Sequence, residues 1–133
     1  MTPAELRAFL AGNHRAVLVT RRRDGRLQSS PVVCAPEVGG AAVLVSVTQD
    51  RAKTRNLRRD PWATLCVLSD QFFGPWTQVE GEATIIDMPG AMAGLKDLYR
   101  AVQGEHPDWD DFEAAMERDR RCLIRIPLPV DPA

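Results

Sequence analysis

The chain has 133 residues and a mass of 14.8 kDa, about what one hydrophobic core serves, which excludes a multidomain machine. With 44% hydrophobic and 26% charged residues and a formal net charge of -1, it has the make-up of a globular protein and not of a disordered or strongly basic one. The near-neutrality is a cancellation, because residues 21–59 carry nine basic and three acidic side chains whereas residues 60–119 carry three basic and thirteen acidic ones.

In chain order, Thr2-Pro3-Ala4-Glu5 is a capping box with proline at the first helical position. Leu6, Phe9 and Leu10 continue it as one apolar stripe towards Gly12, which predicts a short opening helix. Residues 16–20 and 27–35 are β-branched, apolar runs separated by Arg21-Arg22-Arg23-Asp24-Gly25-Arg26. The Asp-Gly step supplies the positive φ of a tight turn, so the two runs form a hairpin. Gly39-Gly40 leads into a third strand over 41–47, and Asp50 is expected to cap a short helix from Arg51 to Arg59. Pro61 stops that helix, since the residue before a proline avoids helical angles.

Residues 62–68 are apolar on both faces and read as a strand covered on both sides. Residues 76–86 alternate as one long strand, with Thr77, Val79, Ala83 and Ile85 facing core and Gln78, Glu80, Glu82 and Thr84 facing solvent or a partner. Met92, Leu95, Leu98, Tyr99 and Val102 fall at helical spacing, as do Trp109, Phe112 and Met116 behind the cap residue Asp108. Residues 121–126 alternate again and make a sixth strand before a Pro-rich tail.

Six mostly antiparallel strands with short flanking helices describe an α+β, mainly β, single domain over residues 1–133, built on a small barrel. A meander of this size must hide its edges by closing or by pairing with a second subunit, so a homodimer is expected. Cys34, Cys66 and Cys122 lie in apolar stretches without a CxxC and read as small buried hydrophobes of a reducing compartment. The cysteines and the distant pair His14 and His106 show no zinc-ligand spacing, so no metal is expected. The longest clean apolar run falls far short of the roughly 20 residues of a membrane span, and no secretory pattern opens the chain; the expected location is cytoplasmic.

The sharpest local feature is Arg51-Ala52-Lys53-Thr54-Arg55-Asn56-Leu57-Arg58-Arg59, five cations at a helix start, where free backbone N–H groups already favour an anion. On a helix, positions 51, 55 and 58 or 59 share a face while Lys53 points elsewhere. A solvated surface is the plain alternative for this run and for the arginines of the first turn. Neither cluster has interleaved aromatics, and the chain is acidic overall, so nucleic acid is not an expected partner. There is no GxSxG, HExxH, Ser/His/Asp order or P-loop; if the chain is an enzyme, a cofactor supplies the reactivity.

The order of hairpins, the string from Arg51 to Pro61, Val79-Glu80-Gly81 in a long strand, and the later Leu98-Tyr99-Arg100, Gly104-Glu105-His106 and Asp119-Arg120-Arg121 together resemble the pyridoxamine 5'-phosphate oxidase-like flavin and deazaflavin oxidoreductases. The resemblance is strongest to their branch that uses the deazaflavin coenzyme F420. It implies a split β-barrel of the FMN-binding type, a homodimer with cofactor sites at the subunit interface, and hydride transfer to a small conjugated acceptor. By the same resemblance Arg51 and Lys53 grip the coenzyme's phosphate and Arg55 serves its glutamate tail. Gln28 and Ser46 then lie near the ring and its side chain, and Trp76 beside the ring. An FMN-binding relative and a non-catalytic carrier are the alternative readings.

Overall fold

The computed structural model of the chain describes residues 1–130. Helix α1, Pro3–Gly12, starts on the predicted capping box, with Glu5 N–H donating to Thr2 Oγ1 at 3.1 Å and Thr2 N–H to the Glu5 carboxylate at 3.3 Å. Strands β1 (Arg15–Arg21) and β2 (Leu27–Pro36) form the hairpin, closed by Arg22 N–H to the Arg26 carbonyl at 2.7 Å with Gly25 at φ 87°. Then follow β3 (Ala42–Thr48), α2 (Ala52–Arg59), β4 (Trp62–Leu68), β5 (Trp76–Glu82), β6 (Thr84–Ile86), α3 (Ala91–Gln103), α4 (Trp109–Arg118) and β7 (Arg121–Pro127).

The described residues hold seven strands where six were expected. The difference lies in the long strand over 76–86. Through Glu82 it pairs with β4; at Ala83, whose N–H goes to the Pro61 carbonyl at 2.7 Å, it changes partner and continues as β6 against β7. Val79, Ala83 and Ile85 all belong to the same core on both sides of the bend, so the alternation runs through it unbroken and periodicity carries no sign of it. The sheet order is β5-β4-β1-β2-β3-β7-β6, and its first and last members are joined by a single residue. The edges therefore meet through the backbone, and the antiparallel sheet curls into a split barrel.

The second bend is in β2, which pairs with β1 from Leu27 to Val33 and with β3 only from Cys34 onward. Beyond that point β2 and β3 diverge. The barrel interior is filled by Leu18, Val43, Val45, Leu65, Ile124 and their neighbours. A second core lies outside the barrel, where Leu95 and Leu98 of α3 and Phe112 of α4 cover Ala35, Leu44 and Leu123.

Two local expectations are corrected. Asp50 does not cap α2: the N-cap position falls on Arg51, with extended backbone at φ -76°, ψ 151° and no side-chain bond. The helix starts one residue later than predicted, and it is Thr54 that ties its first turn down, through Oγ1 to the Thr48 carbonyl at 2.8 Å. Strand β4 is covered on one face only, with Ala63, Leu65 and Val67 fully buried but Trp62, Thr64, Cys66 and Leu68 partly open. Cross-strand register places those residues on one face with Val17 and Val19 of β1, Pro31 and Val33 of β2, and Trp76 of β5. Register also puts Arg15, Arg21, Ser29, Gln78, Glu80 and Glu82 on this face, so it is apolar around Val17, Cys66 and Leu68 and polar towards the β5 edge; no helix lies over it among the described residues.

Candidate functional site

A cavity of about 810 Å³ opens where β2 leaves β3. One wall comes from the outer face of the β3–β7 pair, where Ser46 lies opposite Leu123 and Thr48 opposite Arg121. Arg51 and Lys53 enter from the start of α2, and Val17, Pro31, Val33 and Leu68 bring in the uncovered sheet face. Tyr99 and Val102 of α3 with Phe112 and Met116 of α4 form the opposite, apolar wall. The acidic half of the sequence thus lines the cavity with apolar side chains.

At one end the cavity is electrostatically unbalanced. Arg51, Lys53 and Arg121 meet there, and none of the three has a carboxylate partner among the described residues. Burial, with the charges of Arg51 and then Arg121, holds the Lys53 ammonium below the usual lysine range. Its only hydrogen bond among the described residues is from Nζ to Ser30 Oγ at 3.3 Å. Arg121 Nε is buried without a hydrogen-bond partner. A buried guanidinium N–H left unpaired costs about 1–3 kcal/mol or more, so converging cations with an orphan donor amount to a place shaped for an anion.

The chain brings positions 51, 53 and 121 together by tying two turns to each other. Gln49 N–H donates to the Arg120 carbonyl at 3.0 Å, and Arg120 Nη2 to Gln49 Oε1 at 3.3 Å. Arg120 is the one non-glycine described residue with positive φ, at 56°, and this left-handed step turns the chain from α4 into β7 with Arg121 at its start. The helical-wheel expectation that Lys53 points away from Arg51 does not apply, because Arg51 is outside the helix in extended backbone.

Of the six residues singled out in the sequence, Ser46, Arg51 and Lys53 line this cavity. Gln28 and Arg55 lie instead in a smaller cleft of about 340 Å³ on the neighbouring face of α2, with Arg22, Arg23 and Arg59. Trp76 lines neither; it sits at the edge of the uncovered face opposite Leu68 and is 59% exposed. Sequence reasoning missed Arg121, Ser30 and the apolar wall from α3 and α4. Ser30 follows Gln28 by two positions on the same face of β2, a signal that alternation contains; nothing local links Arg121 to Lys53.

The thiol of Cys34 is pushed up to about 12 by burial, and burial also raises that of Cys122, as befits inert core cysteines. Among the described residues no group of His, Cys, Asp and Glu is placed to hold a metal ion, and no helix is long and apolar enough to cross a membrane.

Comparison with known proteins bears on the fold and the family. A solved F420 reductase is 22% identical, with 92% of each chain covered and a TM-score of 0.68. HutZ, the heme storage protein of Vibrio cholerae, is 12% identical over 96% of this chain and 90% of its own, with a TM-score of 0.71. A pyridoxamine 5'-phosphate oxidase-related, FMN-binding protein of Nostoc punctiforme is 16% identical over 95% of this chain and 76% of its own, with a TM-score of 0.59. At such identities these likenesses show the fold, a scaffold on which known members hold different cofactors. The family model for pyridoxamine 5'-phosphate oxidase matches residues 2–127, and the chain belongs to that family.

Proposed function

We propose that the cavity binds the deazaflavin coenzyme F420 and presents it to a small conjugated acceptor, in a homodimer. The observation that carries this reading is the cluster of Arg51, Lys53 and Arg121, without a carboxylate partner among the described residues, in a cavity whose remaining lining is mostly apolar. A flat ring bearing a phosphate matches that division: the three cations hold the phosphate, Ser46 offers a polar contact, and Tyr99, Val102 and Phe112 give an apolar wall for the ring. When bound, the coenzyme supplies hydride transfer from its own ring carbon. The chain's part is to fix the phosphate, hold the ring flat against the wall and keep water away from the reacting face.

The dimer reading is supported by the sheet face around Val17, Val19, Cys66 and Leu68, which no described element covers and which runs into the cavity at Val17 and Leu68. A second copy packed there buries this face and closes the open side of the cavity, so each site lies at the subunit interface.

Equilibrium titration by quenching of tryptophan fluorescence tests the cofactor. F420 is expected to bind at micromolar Kd and FMN at least about tenfold more weakly, ~1.4 kcal/mol; the reverse order assigns the cavity to FMN, and saturable binding of heme alone makes the chain a carrier. Stopped-flow oxidation of the reduced coenzyme by quinones, enones and nitroaromatics tests turnover, and no oxidation by any acceptor removes the reductase reading.

A further inference from the structure

Hydride transfer is half of a reduction. A hydride that adds to a conjugated acceptor leaves negative charge on it, and a proton must follow. Among the described residues the cavity lining holds no Asp, Glu, His or Cys, the side chains that most often serve as general acids. Its arginines keep their protons, and the hydroxyls of Ser46 and Thr48 are alcohols, much weaker acids than a phenol. Lys53 is bonded to Ser30 and stands with Arg51 and Arg121, and releasing its proton takes a charge out of the cluster that faces the phosphate. The acid that remains is Tyr99, the single tyrosine of the chain, on the α3 wall.

Packing fixes the Tyr99 ring and leaves its hydroxyl free. Phe112, His106 and Trp109 surround the ring with centroids at 5.4, 4.9 and 5.9 Å and interplanar angles of 67°, 56° and 77°. Trp109 is itself held, by Arg100 at 4.4 Å from the centre of its ring and by Nε1 donating to Glu105 at 3.2 Å. A ring caught between three others has little freedom to turn. The hydroxyl makes no hydrogen bond to a described residue, although the residue is half-buried. Among the described residues the buried side-chain atoms without a partner are Thr48 Oγ1 and Arg121 Nε, so the Tyr99 oxygen is not sealed away. It is a placed donor, open to what enters. Gln103, four positions on along α3, lines the cavity beside it and adds a side-chain amide to the same wall.

We propose that the Tyr99 hydroxyl is the proton donor of the reduction, an assignment that rests on the reading of the cavity as an F420 site. The Tyr99 O–H breaks, and its proton goes to the oxygen or α-carbon of an enone that gains the coenzyme's hydride at its β-carbon. The enone is reduced by two electrons and the coenzyme oxidised by two; water returns a proton to the phenolate.

Acetylation by N-acetylimidazole locates the hydroxyl without turnover, and a single tyrosine gives a single O-acetyl product. The ligand-free chain is expected to be acetylated at Tyr99. F420 at about ten times its Kd is expected to slow this about tenfold, the factor by which it depletes the empty form. Acetylation at full rate with F420 bound places the hydroxyl outside the cavity and overturns the proposal. Tyr99→Phe keeps the ring and removes the proton. At saturating reduced coenzyme, its single-turnover rate with an enone is expected to fall at least about a hundredfold further than its rate with a benzoquinone, whose reduced anion forms without a proton. The solvent deuterium isotope effect of the wild-type enone step is expected to disappear with it. Equal losses with both acceptors, or a wild-type enone rate in the variant, overturn the assignment; a wild-type chain that reduces quinones alone needs no donor and overturns it as well. Failure of F420 to bind the wild-type chain removes the cofactor reading and the donor together, whereas binding and enone turnover that Tyr99→Phe leaves intact remove the donor alone.

Discussion

Lys53 shows how the site's chemistry and the fold's stability pull in opposite directions. Its ammonium is held low by burial and by Arg51 and Arg121, which means that the folded state disfavours the charged form. A lysine whose folded pKa lies below its unfolded value costs stability while it is charged; the cost fades as pH rises through the folded pKa towards the ordinary value of about 10.4. Lys53→Met is therefore expected to raise the denaturation midpoint of the ligand-free protein at neutral pH, with the difference from wild type shrinking as pH approaches the lysine range. A lower midpoint at neutral pH in urea melts contradicts this. A bound anion reverses the balance by restoring the ammonium, so binding just below the usual lysine range takes up protons, visible as a dependence of the binding heat on the buffer's ionisation enthalpy. Positions 51 and 53, proposed to grip the phosphate, were legible because five cations crowd the nine residues from Arg51 to Arg59. Arg121 was not, because its place depends on a contact between turns some seventy positions apart, Gln49 with Arg120, that no local pattern encodes.

At the scale of elements, capping, turn chemistry and period gave α1, the first hairpin, α3 and α4, since each is decided within about ten residues. The bend at Ala83 was hidden because it is settled by a hydrogen bond to distant chain, Ala83 to Pro61, while the side-chain alternation stays unchanged; the late start of α2 is a local matter, settled by Thr54 Oγ1 on the Thr48 carbonyl where Asp50 offered the more familiar cap. The packing of α3 on the sheet offers a test in which two effects compete. Gly94 lies within α3, and a Cβ there comes 2.4 Å from Leu123 Cδ1, in a core where Leu123 is 1% exposed. Alanine gains about 1 kcal/mol of helix propensity, and overpacking costs about 1–3 kcal/mol. Gly94→Ala is expected to lower the thermal midpoint, because Leu123 is hemmed in on all sides; an unchanged or higher midpoint shows that α3 can shift away from the barrel.

Over the whole molecule, the two charge halves of the sequence are partly interleaved. Arg58 pairs with Asp87 through two bonds of 2.6 and 3.1 Å, and Arg21 with Asp60 at 3.4 Å, so the basic and acidic halves are not separated in space. Six of the nine cations without a carboxylate partner among the described residues line the cavity or the cleft, on adjoining faces of α2; Arg7, Arg26 and Arg120 lie elsewhere. The apolar face beside the cavity predicts the quaternary structure. Val19→Asp, at the middle of that face, is expected to shift the light-scattering mass from two chains to one and to weaken cofactor binding with it. Cys66, on the same face, is expected to resist alkylation in the dimer and to react in the Val19→Asp monomer; equal reactivity in both places the interface elsewhere.

The central claim, that the cations of the split between β2 and β3 hold a phosphate-bearing coenzyme, is tested most directly by the Kd of F420 for the wild-type chain, Lys53→Ala and Arg121→Ala, each checked for native circular dichroism. Loss of one charge-assisted bond is expected to weaken binding by about 1.5–3 kcal/mol in each variant. Unchanged affinity in both folded variants returns the cluster to a solvated surface and contradicts the account.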